Sequence, residues 1–184
     1  DFVELPSQFM ENYCYHPEVL KTYAFHYQTG ELIPEELVAK INKAGTFNQG
    51  FVQTELLSSS ILDMDYHKMT TTEAFDVNAF EEASMKNMKM IPEIITRYRS
   101  TFYNHIFTTG YAAGYYSYTW AAVLDADAFA AFEETGDIFN AEMAKKFARL
   151  LEQGGTRDAA LLYQEFRGKD ADPTHHMKRC GFIK

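Results

Sequence analysis

Four residues near the middle of the chain have the types and the spacing to do chemistry. His105 is followed by Tyr111, Tyr115 and Tyr118, and positions i, i+4 and i+7 lie on one face of an α-helix. Three phenols on one face can donate hydrogen bonds to one polar ligand. The same spacing is also typical of core tyrosines whose hydroxyls bond to backbone groups. The residues alone therefore leave a ligand site and a core face open.

Small residues surround the three tyrosines. Gly110, Ala112, Ala113 and Gly114 leave the backbone thinly covered, so a ligand could approach it closely. The tyrosines are predicted to be positioned by a long helix over about 112–134, which continues through an apolar run and ends before Gly136.

The rest of the chain is predicted to be mainly α-helical. It contains only ten glycines and five prolines in 184 residues, which is below the average use of these two residues. A first helix starts near Leu5 or is kinked at Pro6. The further predicted helices cover about 18–27, 34–44, 48–67, 77–88, 140–153 and 156–166, with N-caps at Asn140 and Thr156 and a last turn at 173–181.

One segment differs from the rest of the chain in amino-acid composition. Residues 91–103 are rich in β-branched and aromatic side chains, which predicts the only extended stretch, with a short helix as the alternative. The chain shows no internal repeat and no clear linker. We therefore expect residues 1–184 to form a single helical domain.

Charge and composition exclude several classes of partner. The chain has 26 acidic and 17 basic residues and a net charge of −9, so nucleic-acid backbones and anionic membrane surfaces would be repelled. No apolar run approaches the ~18 residues that a membrane span needs. Two isolated cysteines fit a reducing compartment, and we expect a cytoplasmic location, with the periplasm as the alternative.

No complete catalytic motif is present. The chain lacks HExxH, GxSxG, a phosphate-binding glycine loop and an EF-hand pattern. Asp63, Asp65 and His67 could chelate a metal, but a histidine at the end of a helix is the more ordinary explanation. Glu4 lies on an acidic face of the first helix, and such a face is commonly solvated.

Motifs along nearly the whole chain nevertheless resemble one family. The chain carries Asp-Phe-Val-Glu-Leu-Pro-Ser-Gln at 1–8, Phe-Asn-Gln-Gly-Phe at 47–51 and Leu-Asp-Met-Asp-Tyr-His at 62–67. The similarity continues through 97–100, 105–120, 154–158 and 166–168. These stretches resemble the thimet oligopeptidase and peptidyl-dipeptidase family of zinc metallopeptidases, especially its bacterial peptidyl-dipeptidase branch. The resemblance implies a multi-helical C-terminal part of a zincin-like catalytic domain.

The resemblance also implies a metal and a missing partner. Glu4 corresponds to the third zinc ligand, which joins two histidines of an HExxH helix that this chain does not contain. Such a ligand set leaves the fourth zinc position for a water molecule, whose pKa can fall toward ~7. The general base would be the glutamate of HExxH. We therefore expect an upstream HExxH-containing part of the same enzyme as partner, and a fragment that is inactive alone.

The same resemblance implies roles for His105 and the three tyrosines that follow it. Tyr118 corresponds to a tyrosine that stabilises the oxyanion formed when water attacks the scissile carbonyl. Tyr111 and His105 join it as catalytic residues, and Tyr115 lines the substrate side. The implied function is hydrolysis of short peptides, with release of C-terminal dipeptides. The alternative is a non-catalytic helical binding or scaffold module, in which Glu4 is solvated and the tyrosines are core.

Overall fold

The protein is mainly α-helical, as predicted. A computed structural model describes residues 2–71 and 73–184, and within these ranges it has ten α-helices and no β-strand. The helices are α1 (Leu5–Cys14), α2 (Pro17–Tyr23), α3 (Glu35–Gly45), α4 (Gln49–His67), α5 (Val77–Asn87), α6 (Asn104–Phe107), α7 (Ser117–Glu133), α8 (Ala141–Glu152), α9 (Ala159–Arg167) and α10 (Pro173–Arg179). None of the helices in the described ranges is long and apolar enough to span a bilayer.

The described chain divides into two compact units. The first unit contains residues 48–119, with α4, α5, α6 and the first residues of α7. The second unit contains residues 2–47 and 120–184, with α1 to α3, the rest of α7, and α8 to α10. A single domain over 1–184 stays a prediction.

The core of the second unit is aromatic. Phe9 of α1 is buried, and its ring stacks on Phe147 of α8 with 4.1 Å between centroids. Phe132 of α7 lies 5.4 Å from the same ring. The start of α1 at Leu5 places Pro6 in the first turn, where its missing N–H is not needed. The predicted start near Leu5 is therefore confirmed.

Helix α2 is shorter than the predicted 18–27. It ends at Tyr23 because the chain reverses there, and Phe25 pairs with Leu32 in an isolated antiparallel bridge. The backbone N–H of His26 also donates to the carbonyl oxygen of Glu31 at 2.7 Å. These non-helical bonds take the place of a further helical turn.

Helix α7 carries two acids inside an apolar sequence. Asp125 is 1% exposed, and an unpaired carboxylate would be costly at that depth. It accepts hydrogen bonds from Asn12 of α1 at 2.9 Å and from Arg179 of α10, whose Nη2 lies 2.9 Å from Oδ2. Asp125 therefore joins three helices of the second unit through a charge-assisted network.

Asp127 makes a similar connection to α9. Its Oδ2 accepts from the phenol of Tyr163 at 2.7 Å and from Nε of Arg167 at 3.2 Å. Burial and the bond to this carboxylate raise the pKa of Tyr163 above its ordinary range, so the phenol remains a donor. Arg167 also forms two bonds to Glu134, at 2.7 and 2.5 Å.

The N-cap of α9 differs from the predicted one. The carboxylate of Asp158 accepts from the backbone N–H groups of Ala160 and Leu161, at 2.9 and 3.2 Å. The hydroxyl of Thr156 instead donates to the carbonyl oxygen of Gln153 at 2.7 Å. The predicted cap at Thr156 is wrong because the Thr156 hydroxyl bonds backward, whereas Asn140 is confirmed as the cap of α8 through its bond to Met143.

This capping arrangement predicts a difference between two alanine variants. Asp158→Ala should lower the free energy of unfolding by about 1 kcal/mol, because two N–H groups at the start of α9 lose their acceptor. Thr156→Ala is the matched control and should cost less. Urea denaturation followed by circular dichroism measures both, and an equal loss for the two variants would contradict the assignment.

In the first unit, polar contacts connect α4, α5 and the segment after α5, beside a hydrophobic core that includes Leu62 and Ile106. Asp65 of α4 accepts from the hydroxyl of Ser84 of α5 at 2.7 Å. Glu81 of α5 pairs with Arg99 and accepts from the backbone N–H of Ser100 at 2.9 Å. The extended stretch predicted for 91–103 is wrong: the chain there forms turns and a 3₁₀ helix at Ser100–Phe102. Glu81 of α5 and Ser59 of α4 accept its backbone N–H groups, and no strand in the described part pairs with it.

Helix α7 begins later than the predicted 112. Residues 110–116 form turns, and the first helical residue is Ser117. Ala113 has φ 54°, in the left-handed region, which an α-helix cannot contain. Of the three tyrosines, only Tyr118 therefore lies on a helix, and the predicted common helix face is wrong.

Candidate functional site

The turns still bring the four predicted residues together with two others. Five ring pairs among these four residues have centroids 6.1 Å apart or less. The four residues are His105, Tyr111, Tyr115 and Tyr118. We call the group the tyrosine cluster, and its members are Tyr98, Tyr103, His105, Tyr111, Tyr115 and Tyr118.

His105 of α6 contacts every tyrosine of this cluster. Its ring centroid lies 5.0 Å from that of Tyr98, 5.4 Å from that of Tyr115 and 5.8 Å from that of Tyr111. Its Nδ1 is buried and has no hydrogen-bond partner among the residues that the structure describes. A buried polar atom without a partner is costly, which makes His105 a candidate for hydrogen bonding to a ligand.

The tyrosines differ in exposure. Tyr115 is 3% exposed and Tyr103 is 1% exposed, whereas Tyr111 and Tyr118 are only half-buried. Tyr111 and Tyr118 stack on each other with 5.2 Å between centroids and 16° between planes. The tyrosine cluster therefore has a buried part and a part that is partly exposed to solvent.

The buried tyrosines are neutral donors. Burial is the main cause that raises the pKa of Tyr115 above its ordinary range, and a nearby Tyr98 adds to the effect. Burial likewise raises the pKa of Tyr103, whose hydroxyl donates to the carbonyl oxygen of Ser59 at 3.0 Å. Tyr115 packs against His105 and Tyr118, and its predicted contact with substrate stays a prediction.

An arginine lies beside the tyrosine cluster. The guanidinium carbon of Arg97 is 5.8 Å from the ring centre of Tyr98, which is within the range of a cation–π contact. Arg97 also pairs with Glu55 of α4 at 3.6 Å. The cluster thus has a partly neutralised positive charge at its border.

Asp63 of α4 holds the turn that carries the tyrosines. Its side chain accepts the backbone N–H groups of Ala113 and Tyr115, each at 2.9 Å. His67 lies 2.8 Å from the same carboxylate. The sequence suggested either that Asp63, Asp65 and His67 chelate a metal or that His67 ends the helix, and neither interpretation included a contact with the tyrosine turn. The only signal for it in the sequence is an acid in the apolar part of α4.

Glu4 lies in the second unit, at the N-cap of α1, and is half-buried. Its Oε2 accepts from the hydroxyl of Ser7 at 3.2 Å. Within residues 2–71 and 73–184, no three side chains of the His, Cys, Asp and Glu types are grouped so that they could hold a metal. The carboxylate of Glu4 suits one zinc ligand, but the residues of this chain do not fit a complete zinc site by themselves.

The sequence as a whole identifies the class of protein. The pattern of peptidase family M3 matches residues 1–182, which is nearly the entire chain, and the helical fold described above is consistent with it. The chain belongs to peptidase family M3.

Individual relatives support the same family. The chain is 42% identical over 171 residues to a dipeptidyl carboxypeptidase of Escherichia coli, a match that covers 92% of the chain. It is 40% identical over 191 residues to the organellar oligopeptidase A of Arabidopsis thaliana, with 100% of the chain covered. It is 39% identical over 176 residues to the oligopeptidase A of Escherichia coli. The chain spans about a quarter of the length of these relatives, 25%, 24% and 25% respectively.

Proposed function

We propose that this chain is part of a zinc-dependent peptidase that hydrolyses short peptides. Family membership supports peptide hydrolysis, and the names of the relatives include dipeptidyl carboxypeptidase and oligopeptidase A. The observation that carries the proposal is the tyrosine cluster, in which half-buried phenols surround a histidine with a buried, unpartnered Nδ1. A ligand with a polar, polarisable group, such as a peptide carbonyl, fits these donors.

Tyr118 is the proposed oxyanion donor. When water attacks the carbonyl carbon of a peptide, negative charge develops on the carbonyl oxygen. A neutral phenol that is already positioned can donate a hydrogen bond to that oxygen, and such a donor stabilises the transition state more than the ground state. The stack between Tyr111 and Tyr118 fixes the plane of the ring, so the hydroxyl does not need to be ordered during the reaction.

The other residues of the cluster bind and orient the peptide. Tyr111 is half-buried and exposes part of its ring for contact with substrate. His105 presents Nδ1 as a hydrogen-bonding atom for the peptide backbone. We propose Tyr115 on the substrate side, where its packing against His105 and Tyr118 also keeps those two rings in place.

Glu4 is proposed as one zinc ligand. A zinc ion, when bound, lowers the pKa of a water molecule and so supplies the nucleophile at neutral pH. The remaining ligands and the general base would come from an HExxH segment outside this chain. We further propose a cytoplasmic location and release of dipeptides from free C-termini.

The first test is to look for activity with and without the missing segment. Zinc binding and hydrolysis of an N-terminally blocked peptide are measured for this chain alone and for the chain mixed with an upstream fragment carrying HExxH. Turnover should appear only in the mixture. If the mixture associates and folds but neither binds zinc nor cleaves the peptide, the non-catalytic binding module is the better interpretation.

The same assay separates the two kinds of cleavage. An enzyme that releases C-terminal dipeptides must recognise the free carboxylate, so a C-terminally amidated peptide should be cleaved much more slowly than its free-acid form. Equal rates for the two peptides would favour internal cleavage. Mass spectrometry of the products identifies the bond that is cut.

A further inference from the structure

Asp63 binds the tyrosine turn with both of its oxygens. The side chain is fully buried, and Oδ1 accepts from the N–H of Ala113 while Oδ2 accepts from the N–H of Tyr115. Both distances are 2.9 Å. Bonds from N–H groups to an ionised carboxylate are stronger than those between neutral groups. One side chain of α4 therefore fixes two backbone positions on either side of Gly114.

The turn needs such an anchor. Ala113 adopts φ 54°, a conformation that residues other than glycine adopt only when their surroundings hold them there. The N–H of Gly114 donates to the carbonyl oxygen of Tyr111 at 2.8 Å, which closes a tight turn between the two tyrosines. Without the carboxylate, the N–H groups of Ala113 and Tyr115 would lose their acceptor, and the left-handed residue would lose its support.

His67 holds the carboxylate in place. Its Nδ1 lies 2.8 Å from Oδ1 of Asp63 and 2.9 Å from the backbone carbonyl oxygen of the same residue. Both neighbours are acceptors, so Nδ1 carries the hydrogen and donates it. Asp63 thus receives donors from the turn and from the last turn of its own helix.

We propose that Asp63, oriented by His67, is a positioning residue for the tyrosines of the active site. It does not touch the substrate. It fixes the backbone of 113–115, which sets where Tyr111, Tyr115 and Tyr118 place their rings around His105. This inference rests on the function proposed above and adds a residue that acts on catalysis through the turn.

The test is Asp63→Asn in the complete enzyme, meaning this chain together with the HExxH part. An asparagine keeps the size of the side chain but presents an NH₂ group to one of the two N–H donors. We expect kcat to fall about 10–100-fold, because displaced catalytic groups lose their alignment. KM should rise as well, because Tyr111 and Tyr115 are proposed to contact the peptide, but by a smaller factor than kcat falls, since the bond from Tyr118 forms in the transition state.

Asp65→Asn is the matched control. Asp65 lies on the same helix and bonds to Ser84 and Lys68, not to the tyrosine turn. The control should lose some stability and keep its kcat. If Asp63→Asn and Asp65→Asn have the same kcat while both are folded, the inference is wrong.

Hydrogen exchange gives a readout that does not depend on turnover. At least one of the amide hydrogens of Ala113 and Tyr115 should exchange faster in Asp63→Asn than in Asp65→Asn, because the NH₂ group of asparagine takes the place of the acceptor of one of them. Unchanged protection in Asp63→Asn would overturn the inference even if activity fell for another reason.

Two further comparisons keep the outcomes distinguishable. Tyr118→Phe serves as the reference: if it is impaired and Asp63→Asn is not, only the inference fails, whereas an unaffected Tyr118→Phe contradicts the proposed function. If Asp63→Asn does not fold, His67→Leu and His67→Asn decide. Leucine at position 67 removes the donor to Asp63 and should lower kcat. Asparagine at the same position restores a donor and should recover kcat. Equal kcat values for the two variants would overturn the inference.

Discussion

In the complete enzyme, Tyr118→Phe should lower kcat by about 10²–10³-fold with folding retained, which is the usual cost of losing one oxyanion donor. Phenylalanine preserves the ring, so the stack on Tyr111 and the contact with Tyr115, at 5.2 and 5.0 Å, do not depend on the lost hydroxyl. The loss should appear in kcat more than in KM, because the bond forms as charge develops. Steady-state kinetics with a quenched-fluorescence peptide measures both constants.

Tyr116→Phe is the matched control for this experiment. Tyr116 belongs to the same segment and is exposed, and its ring is not part of the tyrosine cluster. The control should retain the activity of the unchanged enzyme. If the two phenylalanine variants have the same kcat, Tyr118 has no part in the mechanism, and the interpretation of the cluster as core becomes the better one.

The second large effect is expected on the affinity for zinc. Glu4→Ala should weaken zinc binding by more than about 100-fold, since outer-shell partners of zinc ligands alone account for 10–100-fold and a direct ligand contributes more. Peptide hydrolysis should fall with the zinc content. The measurement is zinc per protein after dialysis against a weak chelator, by atomic absorption, together with turnover at saturating zinc.

Glu18→Ala is the control for the loss of one carboxylate. Glu18 is an exposed acid in the first turn of α2, so its removal changes the net charge by the same amount. A zinc content that is equal in the Glu4 and Glu18 variants would remove Glu4 from the ligand set. That result would leave the proposed role of Tyr118 untouched, because the two residues are tested separately.

Helices whose limits depend on local signals were predictable from the sequence. The range 48–67 was expected for α4 and the structure gives Gln49–His67. Asn140 caps α8 as expected because an asparagine directly before an amphipathic run has a local acceptor for the first N–H groups. Pro6 was compatible with a start at Leu5 for an equally local reason, since proline is tolerated in a first turn.

The tyrosine turn could not be predicted, because its cause is distant in the sequence. Gly110 and Gly114 weaken a helix at this point but do not specify the turn. Its conformation depends on Asp63, which accepts from Ala113 and Tyr115 and lies 50 and 52 positions before them. A tertiary contact therefore overrode the helical spacing. The rings are adjacent nevertheless, since a tight turn brings neighbouring side chains together as a helix would.

The segment 91–103 and the cap of α9 show two other limits of structure prediction from the sequence. β-branched residues favour strands only where a partner strand exists, and the described part of the chain offers none to this segment. Thr156 and Asp158 are both good capping residues. Asp158 is the cap because its carboxylate accepts from the N–H of Ala160, whereas the hydroxyl of Thr156 donates to the carbonyl oxygen of Gln153. Tyr98, which contacts His105, lies in residues 91–103, whose conformation the sequence did not predict.

The two buried aspartates of α7 bear on when the second unit can fold during synthesis on the ribosome. Asp127 finds its arginine 40 positions later and Asp125 finds its own 54 positions later. When α7 leaves the exit tunnel, both acids are therefore still without their cations, and burying them would be unfavourable. We therefore expect the core of the second unit, which includes Phe9, to close only after Arg179 has left the tunnel. We expect a nascent chain that stalls before this residue to leave the apolar side chains of α7 exposed, and so to be cleaved by proteases more readily than the completed chain.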